Sequence, residues 1–341
     1  MFHRSIRRMT DSLARINSLP RVRLAHLPTP LEAIPRLAAE LGGPWLHVKR
    51  DDCTGLGLGG NKVRKLEFAL AEAQAAGADC IVTGGVVQSN HIRQSAAAAA
   101  KLGLGCHLAV MHGRVQGTDP DYHDTGNIML DRLFGATITT VEWRADRNRV
   151  LHELAETLRG QGKRPHVVAY GASSVRGALG FVLAAAELAE QAHHQGMVVD
   201  HVVHASGSAG TQAGLAVGLK LFMPATRLIG IDIDAEPERV RADVTRLAQE
   251  VADFLGVNPP EIEVVAGHAG PAYGVATPQT VEAIRLAAQL EGLVLDLVYA
   301  GKGLAGLIGL IRAGRFAPRE TVVFWHTGGA PALFAYRSLF A

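Results

Sequence analysis

The chain has 341 residues, 48% hydrophobic and 19% charged, with a formal net charge of +2. That is long enough for two domains and a large core, and too apolar for a disordered chain. The near-balanced charge gives no reason to expect a nucleic-acid partner, and no apolar run reaches the length of a membrane span, so a soluble protein without a membrane partner is expected.

The first twenty residues, MFHRSIRRMTDSLARINSLP, are basic and mildly amphipathic. They lack the apolar core of a secretory signal, and Asp11 together with the short basic stretch argues against a transit peptide. Met9 offers a second start. The three cysteines, Cys53, Cys80 and Cys106, are widely spaced and form no C-x-x-C. A disulfide framework and a zinc site are therefore not expected, and a reducing cytoplasm is.

Short β-rich runs then alternate with helical patterns. WLHVKR, DCIVTGG, CHLAVMH, ATITTV, HVVAY, HVVHAS, RLIGIDI, LVLDLVY and TVVFWHT read as strands. KLEFALAEAQAAG, RQSAAAAAKLG, RNRVLHELAETLRGQ, GALGFVLAAAELAEQ and TVEAIRLAAQLEG read as helices. Apolar strands separated by helices predict an α/β protein whose parallel-type sheets are covered by helices. The expected division is a large domain, 1–64 with 171–341, and a small inserted α/β domain, 65–170. In such folds ligands bind where strands lead into helices.

One such place is GGNKVRKLEF, residues 59–68. Lys62 follows a flexible loop, with Arg64 and Lys65 close behind. A solvated helix start is the plain expectation, and an amine made to act as a nucleophile is the sharper one. An ordinary lysine has a pKa of about 10.4 and is almost wholly protonated at pH 7. Neighbouring cations, desolvation and the helix start near Asn61 would all depress it.

A second is Ser206-Gly207-Ser208-Ala209-Gly210-Thr211, between the strand HVVHAS and a helix. Glycines free the backbone N–H groups to turn toward a ligand, hydroxyls add donors, and a helix N-terminus favours negative charge. The lysine of a nucleotide P-loop is missing, and so is the G-x-G-x-x-G of a dinucleotide site. A phosphate monoester cradle is the reading taken over an ordinary helix-capping turn. An activated lysine plus such a cradle suggests pyridoxal phosphate.

GGNKVRKLEF, VVQSNHIRQSAAAAAKLG, TGNIMLDRLFGA, GALGFV, ASGSAGTQAGLAVGL, LDLVYAGKGLAGLIGLIR and HTGGAPALFAY together resemble the D-cysteine desulfhydrase/1-aminocyclopropane-1-carboxylate deaminase family. The resemblance runs from about Leu24 to Tyr336. It implies the pyridoxal-phosphate fold shared with the tryptophan synthase β subunit (fold type II), and a homodimer. It implies that Lys62 holds the cofactor covalently and moves the α-proton of a small amino-acid substrate, with Lys65 as the family's second lysine. Asn90 matches the residue at the cofactor's 3-oxygen and also a substrate contact. Ser89 and His91 match residues near the substrate carboxylate, although Ser89 or Asn90 could equally cap a helix. Residues Ser206 to Thr211 match the phosphate loop. Tyr273 and Tyr299 match tyrosines near substrate and lysine; either could be a packed aromatic.

Two positions separate the branches. Ring-opening deaminases carry a glutamate after the second tyrosine and a leucine in the H-x-G-G stretch, where this chain has Ala300 and Thr327. Thr327 matches the desulfhydrases, and its hydroxyl suits the cofactor's pyridine nitrogen. Without an acid at Ala300 the cofactor is a weaker electron sink, a lesser handicap when a sulfur substituent leaves from the β-carbon, although Ala300 also departs from the small hydroxyl residue that the resemblance implies for desulfhydrases. D-cysteine desulfhydrase is expected, giving pyruvate, ammonia and hydrogen sulfide. L-cysteate sulfo-lyase stays open, because YGASSVRGALG (170–180) departs from the family pattern and Arg176 could meet an anionic group. The deaminase is disfavoured. A nicotinamide dehydrogenase lacks its glycine fingerprint, and a noncatalytic amino-acid binder has no use for Lys62. HVVH (201–204) and His193-His194 lack acidic or cysteine companions, so no metal is expected.

Overall fold

The computed structural model describes residues 2–341, with side chains described from residue 9 onward. Helix α1 (Phe2–Asn17) leads into β1 (Leu31–Ala33), α2 (Pro35–Leu41) and β2 (Trp45–Arg50). Then come α3 (Lys62–Ala75), β3 (Cys80–Val86), α4 (Asn90–Leu102), β4 (Gly105–His112), α5 (Asn127–Leu133), β5 (Thr137–Glu142), α6 (Arg147–Gly160) and β6 (Pro165–Val167). The rest is α7 (Val175–His194), β7 (His201–Ser206), α8 (Gly210–Phe222), β8 (Arg227–Asp232), α9 (Pro237–Leu255), β9 (Glu263–Val265), α10 (Pro278–Glu291), α11 (Ala300–Arg312), β10 (Thr321–His326) and α12 (Ala330–Leu333).

The strands form two sheets. One has six strands in the order β1-β2-β10-β7-β8-β9, the other four in the order β5-β4-β3-β6. Only the β1–β2 pair is antiparallel among the described residues. The α/β expectation with parallel-type sheets is met because strands such as β3 and β10 are buried along their whole length, which requires helices on both faces.

One predicted strand does not form. Residues 293–299, LVLDLVY, are irregular and run into α11. The side chain of Asp296 takes the backbone N–H groups of Val298, Tyr299 and Ala300 at 3.1, 2.9 and 2.8 Å. It thereby caps α11 and takes the donors that a strand would need for a neighbour.

Glycine spacing sets the closest helix packing. On α8, a Cβ at Gly214 would lie 2.6 Å from that of Phe181, and one at Gly218 would lie 2.6 Å from that of Ala185. The bare backbone lets α8 press onto α7, and side chains there would force the helices apart.

Below the loop that carries Lys62 sits a buried ion cluster. Arg64 bonds Asp51 Oδ1 and Glu187 Oε1, each at 2.9 Å, and Lys49 Nζ donates to Glu187 at 2.5 Å. Trp325 Nε1 closes it on Asp51 Oδ2 at 2.8 Å. Burying charge is tolerable only with such pairing, and the cluster joins β2, α3, α7 and β10 beneath the cleft.

Candidate functional site

The carboxyl ends of β3, β4, β7 and β8 open onto one cleft of about 330 Å³ between the two sheets. Lys62 lies on its floor as the first residue of α3. Its Nζ donates to Asn61 Oδ1 at 2.9 Å and stands 5.9 Å from the centre of the Tyr299 ring. Burial lowers the amine from its ordinary range to about 8; Asp296 opposes the shift and Arg93 adds to it. At neutral pH that leaves roughly a tenth of the amine unprotonated, against well under a thousandth for a free lysine.

The solvated-helix expectation for this stretch is therefore overturned, and so is the part assigned to the neighbouring cations. Arg64 and Lys65 are both buried. Arg64 is spent on Asp51 and Glu187, so its charge is compensated. Lys65 Nζ is buried with no hydrogen-bond partner, and burial first, then the Lys62 charge, drives it well below the ordinary lysine value. The cation that presses on Lys62 is Arg93, thirty-odd positions away in sequence. Helical geometry and burial explain the miss: Arg64, two residues on, leaves the helix on another face, and Lys65, one turn on and close enough to feel the Lys62 charge, is itself pushed by burial toward losing its proton.

Ser206 to Thr211 lead from β7 into α8. Ala209, which precedes the helix, sits at φ 62° with no side chain able to cap, an uncommon conformation for a residue with a Cβ. The Gly210 N–H turns to the Ser208 carbonyl at 2.7 Å, and the N–H groups that follow it at the start of α8 are left for whatever occupies the cleft. The loop is braced from behind. Ser173 Oγ donates to the Ser208 carbonyl and accepts from Gly210 N at 3.2 Å. Asn61 Nδ2 donates to Thr211 Oγ1 at 2.9 Å, which ties the cradle to the residue beside Lys62. Ser206, Gly207, Ser208, Ala209 and Thr211 line the inner end of the cleft together with Lys62, Asn90 and Thr327. Gly210 opens the helix behind them. The Thr327 carbonyl accepts from Asn61 N at 3.0 Å.

The smaller sheet supplies the opposite wall. Ser89 caps α4 by accepting from His91 N at 3.2 Å, and it lines the cleft as well. The capping expectation is met. His91 Nε2 meets Thr83 Oγ1 at 2.8 Å, and burial, with Lys65 and Lys62 adding, keeps its ring neutral. Asn90 Oδ1 accepts from Asn127 Nδ2 at 2.9 Å. Tyr273 and Tyr299 share a short hydroxyl hydrogen bond, with ring centres 5.8 Å apart and planes at 76°. Burial raises both phenols above their ordinary value, so they are protonated donors.

Sequence reading passed over several residues placed here. Asp296, held at about 6 chiefly by burial against three backbone N–H bonds, supplies a negative charge near Lys62. Its only signal was one acid inside an apolar run before a helix. Lys302 Nζ donates to Ala269 O at 2.5 Å and Ala272 O at 3.0 Å, fixing the loop that presents Tyr273. Arg114 lies 4.1 Å above the Tyr273 ring and pairs with Asp234. His204 is buried at the inner end with Nδ1 on the Ala205 carbonyl at 2.8 Å and no partner for Nε2. Burial holds it at about 4, a neutral imidazole. Arg176, in contrast, lies outside the residues lining the cleft. It pairs with Glu72 at 3.3 Å and covers Phe254, which removes the reason for assigning it to an anionic substrate group.

A depressed lysine, an uncapped helix N-terminus braced by hydroxyls and a buried imidazole nitrogen lacking a partner fit a phosphorylated aldehyde cofactor; fold and site define a pyridoxal-phosphate type of α/β enzyme. The comparisons agree: the family model described as pyridoxal-phosphate dependent enzyme matches residues 22–328, and the chain belongs to that family. It is 44% identical to a D-cysteine desulfhydrase of Yersinia enterocolitica over 324 residues, 94% of this chain and 97% of the relative. The same figures hold for one from Yersinia pseudotuberculosis. Among solved structures, an ACC deaminase homologue superposes with a TM-score of 0.87 at 35% identity, covering 97% of this chain and 98% of its own. A threonine deaminase from Solanum lycopersicum, at 17% identity and TM-score 0.67 over 94% and 89% of the two chains, shares the fold.

Proposed function

We propose that this enzyme removes the β-substituent of a small sulfur-bearing amino acid, with D-cysteine as substrate and pyruvate, ammonia and hydrogen sulfide as products. The observation that carries the reading is the Lys62 amine, lowered to about 8 on the floor of a cleft that ends at Ser206–Thr211. The 44% identity to D-cysteine desulfhydrases over nearly their whole length supports the substrate. Ala300 and Thr327, where a ring-opening deaminase carries other residues, support the branch.

In this reading Lys62 would hold the cofactor through its amine and the Ser206–Thr211 backbone would hold its phosphate, with Asn90 and Thr327, which line the same space, as its further contacts. Bound there, pyridoxal phosphate supplies an electron sink for the charge left at the α-carbon. Lys62, once its amine is free and neutral, takes the α-proton. Ser89 and His91, at the start of α4, orient the substrate carboxylate, and the Tyr273–Tyr299 pair orients the substrate and donates a proton. A departing thiolate needs little acid assistance, because its conjugate acid has a pKa of about 8.5.

The same proposal includes a homodimer working in the cytoplasm. Its support is the exposed apolar side chains of Leu58, Met129 and Phe334 along one groove. Among the described residues no helix is long and apolar enough to cross a membrane. It also keeps a small inserted domain over 65–170, supported by a four-stranded sheet whose strands all fall between Cys80 and Val167.

The deciding experiment measures ketoacid and sulfide release from D-cysteine, L-cysteine, both β-chloroalanines, L-cysteate and 1-aminocyclopropane-1-carboxylate. Sulfide and pyruvate from D-cysteine at the highest kcat/KM is the expected result. Release from the cyclopropane alone, or sulfite from L-cysteate as the dominant product, overturns it.

A further inference from the structure

Helix α4 does more than present Ser89, Asn90 and His91 to the cleft. One turn in, the guanidinium of Arg93 is buried and reaches three places at once. Its Nε donates to Asn127 Oδ1 at 2.7 Å, one terminal nitrogen donates to the Gly57 carbonyl, and the other donates to the Gly59 carbonyl at 3.0 Å. Asn127 in turn donates from Nδ2 to Asn90 Oδ1 at 2.9 Å and to the Gln88 carbonyl at 3.0 Å. The next residue, Gln94, accepts from Val63 N at 2.9 Å, at the first turn of α3. Side chains of α4 thus grip both ends of the segment that delivers Lys62.

That segment cannot hold its shape by regular secondary structure. Gly57, Leu58, Gly59 and Gly60 all lie at positive φ, 54°, 66°, 69° and 130°. The carbonyls of Gly57 and Gly59 come out toward α4, where they need a donor. A planar fork with five donors in fixed directions meets two carbonyls and an amide oxygen together, and a lysine could not.

We propose that Arg93 is the positioning residue that sets Lys62 against Asn90, by tying the glycine loop before the lysine and the Asn127–Asn90 pair to one guanidinium. This rests on the reading in which Lys62 carries the cofactor. The charge has a second consequence. No carboxylate forms an ion pair with Arg93 among the described residues. The acids facing it are Asp131 of α5 and Asp296. Both carboxyl oxygens of Asp131 are buried without partners, and burial raises that group to about 8, so below that pH it does not neutralise Arg93. Arg93, itself lowered to about 10 by burial, keeps its charge and adds to the burial that lowers the Lys62 amine.

The test uses the full chain and two variants, Arg93→Gln and Arg93→Lys. Acylation of Lys62 by acetic anhydride after removal of pyridoxal phosphate, followed by peptide mass spectrometry between about pH 6 and about pH 10, gives the titration midpoint of the amine. Arg93→Gln is expected to raise it by about one unit, a roughly tenfold loss of neutral amine at pH 7. Arg93→Lys is expected to leave the midpoint in place while the holoenzyme's kcat drops about tenfold and KM moves less than about threefold, because charge survives and the fork does not. An unmoved midpoint in Arg93→Gln overturns the proposal. If that variant does not fold, Arg93→Lys decides, since an unchanged kcat is equally fatal. Cofactor still attached in Lys62→Ala points instead to failure of the underlying reading.

Discussion

Tyr299 stands between two partners that define its part: its hydroxyl is bonded to that of Tyr273, and its ring faces the Lys62 amine at 5.9 Å. Two phenols joined in this way, both kept protonated by burial, can pass a proton between the substrate and the cleft wall. Tyr299→Phe is expected to lower kcat by about 100-fold and Tyr273→Phe by about tenfold, within the range of a lost acid–base group. Far-UV spectra and melting temperature should stay near those of the parent protein. Steady-state pyruvate assays check this, and an unaltered kcat in Tyr299→Phe removes it from the chemistry.

Lys62 gives the pH dependence its sign. The amine acts as a base only when unprotonated, and its value is lowered to about 8 by burial first. The rate with saturating substrate should therefore rise with pH and level off above about pH 8, because kcat reports groups in the substrate complex. Lys62→Ala should lose the visible cofactor band and all turnover. A kcat flat from about pH 6 to about pH 9 would contradict the assignment.

Asp131 should make the fold less stable as pH rises. Its carboxyl is raised from 3.8 to about 8 by burial. Between those values the native state binds the proton more tightly than the unfolded state, so stability falls across the window. Asp131→Asn removes the titration. It is expected to stabilise by at least ~1 kcal/mol at about pH 8.5, with almost no effect below about pH 4. Urea melts at the two pH values read the difference.

Arg64 carries structure, not chemistry. Arg64→Ala strands Asp51 and Glu187 as buried, partly unpaired carboxylates and is expected to cost about 3–5 kcal/mol. Lys62 keeps its surroundings, so the folded fraction should retain the visible cofactor band. Chemical denaturation followed by that band and by tryptophan emission separates the two effects.

Much of this molecule was legible before folding. Alternating apolar strands and helical runs announced α/β sheets, because a strand buried on both faces needs no polar side chains. The Lys62 stretch and the Ser206–Thr211 loop were legible because each lies between a strand run and a helix, where the chain must turn and backbone donors are left over, whereas Ser89 and Asn90 were named through the family resemblance. The misread run LVLDLVY has strand composition, yet the Asp296 side chain claims its backbone N–H groups. That preference is decided by the helix it caps.

The sequence alone determined that Lys62 and the Ser206–Thr211 loop stand at turns between strand and helix, since that follows from local spacing and turn chemistry. Tertiary structure alone decided what surrounds each charge. It sent Arg64 to Asp51 and Glu187, left Lys65 without a partner, moved Arg176 out to Glu72, and brought Arg93 and Asp296 to Lys62. The reason is physical: the proton affinity of an amine depends on burial and on charges within several ångströms, and neither distance in space nor loss of water is written in the order of residues.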